Sequence, residues 1–180
     1  MEDKYEIRLS GSGGQGLVVA GVILAEAAAI HEDKNVLQSQ SYGPEARGGA
    51  SKSDVIISQE EINHPKATSI DVLLCLTQKA CDKYSNELKE GGVLIADSEL
   101  VKDLPKGNFK LYHLPIITTA KDVVGKLITA NIVALGVIVE ITQIVKKESI
   151  EKAVLSKVPK GTEELNKKAL HIGFDLAKKA

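Results

Sequence analysis

Four glycines fall within six residues at Gly11-Ser12-Gly13-Gly14-Gln15-Gly16, between the alternating run Tyr5, Ile7, Leu9 and the nearly unbroken apolar run from Leu17 to Ile30. Bare backbone there can approach another molecule closely. Read as a strand, a glycine-rich turn and a helix N-terminus, the segment makes an anion site, because unpaired N–H groups converge with the positive end of the helix dipole. Gly11, Gly13 and Gly16 also satisfy the G-x-G-x-x-G spacing of a dinucleotide-binding turn. A second glycine-rich stretch, Gly43-Pro44-Glu45-Ala46-Arg47-Gly48-Gly49, is too long for a tight hairpin turn. Its Arg47 could hold a phosphate through two parallel hydrogen bonds or pair with Glu45.

The simpler readings of these motifs fail. A dinucleotide-binding unit needs a carboxylate at the end of its second strand, about 20 residues beyond the glycines. Here Gln38 to Tyr42 contains none, and Asp33 precedes that strand. No Lys-Ser/Thr pair closes a Walker A loop, and no serine lies in a G-x-S-x-G elbow. His31, His64, His113 and His171 are scattered, so no metal site is expected. Cys75 and Cys81 lack C-x-x-C spacing and read as structural free thiols. An iron–sulfur motif needs three or four closely spaced cysteines, so the chain cannot build its own cluster. No catalytic constellation can be read.

The elements that position the two loops follow from composition and pattern. At 180 residues, 43% hydrophobic and 26% charged, the chain is expected to form one domain over residues 1–180. A net charge of -1 gives no electrostatic reason for a nucleic acid or membrane partner. Aromatic residues are only 3%, without Trp, and aliphatic side chains supply the apolar mass, as when helices cover a sheet. The N-terminus has neither the basic start nor the apolar core of a signal peptide, and no apolar run reaches the ~18 residues of a membrane span. A cytoplasmic protein is expected.

After the first strand and helix, Asn35–Tyr42 and Ala50–Ser58 read as strands pairing antiparallel around the second loop, which makes the sheet mixed. If strands one and two are parallel neighbours, both glycine-rich loops share one sheet edge and form one surface. Gln15 and Arg47 are its polar readers, with Ser12 and Lys52 close in sequence. Strands are further expected at Ile70–Leu76, Val93–Asp97 and Phe109–Leu114, and a helix over Gln78–Leu88 ending at Gly91-Gly92. Thr118 to Val145 reads as one broken helix or two, with Gly125 and Gly136 allowing close packing. Ser149 caps a helix to Val158, and Thr162 with Glu163 and Glu164 opens the last one in the manner of a capping box.

Taken together, GSGGQG, SYGPEARGG, NIVALG at Asn131–Gly136 and ELNKKALHIGF near the end resemble the gamma subunit of the 2-oxoacid:ferredoxin oxidoreductases, over essentially the whole chain. The segment SYGPEARGGASKSDVIIS is most similar to the 2-oxoglutarate and branched-chain (2-oxoisovalerate) types. The pyruvate type is a further alternative, and a stand-alone nucleotide-binding Rossmann-like protein a more distant one. The resemblance implies a three-layer α/β/α fold, Rossmann-like with a mostly parallel mixed sheet, equivalent to domain III of the single-chain pyruvate enzymes. It implies a complex with alpha and beta, and in some cases delta, subunits that oxidises a 2-oxoacid, forms an acyl-coenzyme A and reduces ferredoxin. Thiamine diphosphate, Mg2+ and iron–sulfur clusters would lie on those partners. For this chain it implies no activity alone, and a contact surface for coenzyme A or for the thiamine-binding subunit. That surface would be built from Gly11, Ser12, Gly13, Gly14, Gln15, Gly16, Tyr42, Arg47 and Gly48. An isolated chain would self-associate through such a face.

Overall fold

The computed structural model describes residues 4–41 and 49–180. Six strands, β1 (Lys4–Ser12), β2 (Asn35–Gln40), β3 (Ala50–Ser58), β4 (Ile70–Cys75), β5 (Leu88–Asp97) and β6 (Lys110–Leu114), form one sheet in the order β2-β3-β1-β4-β5-β6. The pairs from β1 to β6 on one side are parallel, whereas β3 runs antiparallel to both of its neighbours. The sheet is therefore mixed and mostly parallel, as expected, but strands one and two are not neighbours. β3 lies between them, pairing Ala50 with Ser12 and Ser53 with Gln40. The physical reason is burial. Val55, Ile56 and Ile57 of β3 are apolar on both faces and need an interior position, while the half-buried NVLQSQ of β2 suits an edge. β1 and β2 still point the same way, so Ser12 and Gln40 end at the same edge of the sheet.

Alternation along the strands divides the core. Ile7, Leu9, Val55, Val72, Leu74 and Ile95 face helices α1 (Leu17–Glu32), α4 (Ala130–Thr142), α5 (Lys147–Lys157) and α6 (Glu163–Ala177). Ile56, Ile70, Leu73, Cys75, Leu94 and Ala96 face α2 (Gln78–Tyr84) on the other side. The result is the three-layer α/β/α arrangement. No helix among the described residues is long and apolar enough to cross a membrane.

Several expected boundaries move. The second helix stops at Tyr84, passes through a 3-10 turn at Ser85–Glu87, and Leu88 already belongs to β5. Gly91-Gly92 does not end a helix but sits inside β5, with Gly91 at φ 74°, where the register against β4 shifts between the Leu88–Ile70 and Val93–Val72 pairs. The segment from 116 to 145 splits into a short α3 (Ile116–Thr118), a π-helical turn Thr119–Val124, a 3-10 turn Leu127–Thr129 and α4. Gly125 marks the break, with open space around it rather than close packing. Gly136 does pack closely, since a Cβ there would strike the Leu170 carbonyl, and one on Gly173 would strike the Val133 carbonyl. Ser149 lies inside α5, whose N-cap is Lys146. Thr162 occupies the N-cap of α6, but its hydroxyl donates to the Pro159 carbonyl at 2.7 Å and Glu163 accepts the Gly161 N–H, so no capping box forms.

Candidate functional site

The glycine loop leaves β1 at the sheet edge where α1 and α4 begin. Gly11 and Ser12 are still strand residues, paired with Ser51 and Ala50. The Gln15 N–H then reaches back to the Ser12 carbonyl at 3.4 Å, and Gly16 enters α1 as its N-cap at φ 73°. A side chain in that left-handed conformation costs about 1–2 kcal/mol, which is one reason for glycine. The other is Asn131 at the head of α4. Its Nδ2 donates to the Gly16 carbonyl at 3.1 Å, and a Cβ on Gly16 would lie 2.6 Å from that nitrogen.

Gln15 folds over its own loop. Its Oε1 accepts the Ser12 N–H at 2.8 Å and occupies the space a Cβ on Gly11 would need. That oxygen braces the turn. Gly13 and Gly14 are exposed, and no hydrogen bond ties their N–H groups to a described residue. They are the exposed backbone of the turn, close to the positive end of the α1 dipole.

Beside them opens a cleft of about 420 Å³, with Gly14 and Gln15 on one side and Leu100, Ile117, Leu127 and Ile128 on the others. Leu100, Leu127 and Ile128 are 44%, 55% and 72% exposed, so this edge presents apolar side chains to water next to free amides. Among the described residues, no charged side chain lines it. Sequence reasoning missed these wall residues. Their only signal was the presence of isolated apolar residues in otherwise polar connections.

Lys52 is engaged elsewhere. Its Nζ bonds Asp54 at 3.0 Å and lies 5.7 Å from the Tyr84 ring centroid. Asp54 also receives the fully buried Arg8 guanidinium at 2.7 and 3.0 Å, and Arg8 reaches Glu87 at 2.6 Å. Burial presses the Arg8 pKa down, but its bonds to Asp54 and Glu87 outweigh that and hold it above the ordinary value. This cluster locks the α2 face beneath the start of β3. Tyr42, Arg47 and Gly48, like the rest of 42–48, lie outside the described residues.

Among the described residues, no three His, Cys, Asp or Glu side chains converge as metal ligands. His113 Nε2 lies 2.8 Å from the Val101 carbonyl, and His171 pairs with Glu151 at 2.6 Å. Cys75 and Cys81 are free and buried, and the Cys75 thiol is pushed up first by its hydrogen bond to Cys81 and then by burial. Two thiols cannot supply the ligand set of a cluster.

A family model for pyruvate ferredoxin/flavodoxin oxidoreductase matches residues 6–176. The 2-oxoglutarate synthase subunit KorC of Methanocaldococcus jannaschii is 52% identical over 177 residues, covering 97% of this chain and 95% of the relative. The crystal structure of a keto/oxoacid ferredoxin oxidoreductase gamma subunit from Geobacter sulfurreducens matches at TM-score 0.90 and 60% identity, over 98% of this chain and 99% of that one. The fold also recurs in the 2-oxoglutarate:ferredoxin oxidoreductase of Magnetococcus marinus, solved with 2-oxoglutarate, coenzyme A and succinyl-CoA bound. That match has TM-score 0.87 at 22% identity and covers all of this chain but 32% of that one. With a family model spanning nearly its whole length, and relatives more than half identical from end to end, the chain belongs to the pyruvate ferredoxin/flavodoxin oxidoreductase family.

Proposed function

We propose that this chain is the gamma subunit of a 2-oxoglutarate:ferredoxin oxidoreductase, a cytoplasmic complex converting 2-oxoglutarate, coenzyme A and oxidised ferredoxin into succinyl-CoA, CO2 and reduced ferredoxin. The near-full-length likeness to a 2-oxoglutarate synthase subunit supports this substrate. Residues 1–180 act as a single domain that contributes no catalytic group. Thiamine diphosphate, Mg2+ and iron–sulfur clusters reside on alpha and beta subunits, joined in some complexes by a delta subunit.

One observation carries the ligand reading. Exposed backbone at Gly13 and Gly14 adjoins an apolar cleft, Gly14 lining it, with no charged wall among the described residues. Coenzyme A has the matching division, with anionic phosphates at one end and a pantetheine arm that combines apolar stretches with amides. In this reading the backbone N–H groups of Gly13, Gly14 and Gly16, together with Gln15 and Arg47, meet the phosphates or the arm, and Leu127 and Ile128 flank the arm. The rim around Ile128 docks the thiamine-binding subunit, as a ligand site between two subunits requires.

The test is kinetic, on the complex reconstituted from all subunits. Gly14→Val and Ile128→Asp should raise the KM for coenzyme A and leave that for 2-oxoglutarate unchanged. Loss of assembly with an unaltered KM in the complex that remains would reduce the surface to docking alone.

A further inference from the structure

The cleft has two apolar walls from separate parts of the chain, and one buried carboxylate holds both. Asp97, the last residue of β5, is fully buried. Its Oδ1 accepts the N–H groups of Glu99 at 3.0 Å and Leu100 at 2.9 Å, and its Oδ2 accepts that of Ile117 at 2.8 Å. Leu100 and Ile117 are themselves wall residues of the cleft beside Gly14. Further bonds tie the two segments farther from the cleft, among them His113 Nε2 at 2.8 Å from the Val101 carbonyl. The Ser98 N–H reaches the Leu114 carbonyl at 2.9 Å, and the Val101 N–H reaches the Asp97 carbonyl at 2.9 Å.

We infer that Asp97 is a positioning residue for coenzyme A, setting the width of the cleft by binding the Leu100 turn with one carboxylate oxygen and the start of α3 with the other. The inference rests on the ligand reading above. A carboxylate is suited to this because it is purely an acceptor and offers lone pairs on both oxygens. A carboxamide of the same shape is not. Whichever way Asn is turned, its NH2 faces an N–H group on one wall, so one wall loses its anchor.

The experiment is Asp97→Asn in the reconstituted complex, read in two ways. Hydrogen exchange should quicken at the amides of residues 99–100 or of Ile117 and nowhere on α4 or α6. The KM for coenzyme A should rise roughly ten-fold, with a smaller change in kcat, as expected when a ligand is misplaced by a fraction of an ångström. Should that variant fail to assemble, Ile117→Pro decides by the same split. Proline is tolerated in a first helical turn and deletes the Oδ2 anchor, and Ile117→Ala, which trims the same wall but keeps the N–H, is the comparison: the proline variant should raise the KM for coenzyme A further than the alanine variant does. Faster exchange with an unchanged KM overturns the positioning role, as does an unchanged exchange pattern. Failure of the ligand reading looks different, because then Gly14→Val and Ile128→Asp also leave the KM for coenzyme A unmoved.

Discussion

The sharpest stability prediction contrasts two glycines of one loop. Gly14 and Gly16 both have positive φ, at 87° and 73°, but a Cβ on Gly14 meets open space and one on Gly16 meets Asn131. For Gly14→Ala only the backbone matters: about 1–2 kcal/mol of left-handed strain, offset by about 0.4–1 kcal/mol from a less flexible unfolded chain. The net cost is about 1 kcal/mol. Gly16→Ala carries the same backbone cost and also displaces Asn131, which is 8% exposed. Losing its bond to the Gly16 carbonyl and stranding a nearly buried amide adds about 2 kcal/mol, for about 3 kcal/mol in all. In a chain of 180 residues that corresponds to a fall in Tm of roughly 6–12 °C. Urea titration followed by circular dichroism measures both variants. A double-mutant cycle with Asn131→Ala should return a coupling of about 1–2 kcal/mol, because alanine at 131 removes the clash along with the bond. The reasoning is wrong if Gly14→Ala costs as much as Gly16→Ala, or if the pair is additive.

Three further outcomes follow from other parts of the fold. Glu6 is pushed up by burial, but its bonds to Lys4 and to the Ser69 and Thr68 N–H groups outweigh this and hold its pKa below the ordinary value. Its contribution is therefore present above about pH 4.3 and lost as pH falls through the folded-state value, so the gap in urea midpoint between wild type and Glu6→Gln should be widest near neutrality and narrow towards pH 3. Gly173→Ala drives a methyl group into the Val133 carbonyl across the α4–α6 contact, and thermal unfolding should show a loss of about 3 kcal/mol. Arg8→Met leaves Asp54 buried with Lys52 as its one charged partner among the described residues and should cost about 3 kcal/mol by denaturant titration, whereas Arg8→Met with Asp54→Leu should cost clearly less.

Much of the sheet was legible because its strands are short apolar runs between turn residues, and Ile70–Cys75 needed nothing else. What escaped was non-local. No local pattern says that β3 inserts between β1 and β2, since that depends on which strand has two apolar faces to bury. Gly91-Gly92 resembled a helix stop because glycine favours the left-handed conformation in either setting, and only the pairing of β5 with β4 distinguishes them. The site was half legible. The loop stood out by its glycines, but the cleft beside it is made by Leu100, Ile117, Leu127 and Ile128, which converge from connections far apart in sequence. The motifs that carry the family resemblance prove to be joined in space. Asn131 of NIVALG holds Gly16 of GSGGQG, and Gly136 of the same motif meets Gly173 of ELNKKALHIGF.

The antiparallel β3 couples the two glycine-rich stretches of the chain. Segment 42–48 is bounded by a hairpin whose stem is fixed, with the Ser41 N–H on the Lys52 carbonyl at 3.3 Å and Ala50 opposite Ser12. Because Ala50 starts β3 opposite the Ser12 that enters the glycine turn, a substitution that shifts either stretch is felt by the other, and the two can adapt to a new partner only together.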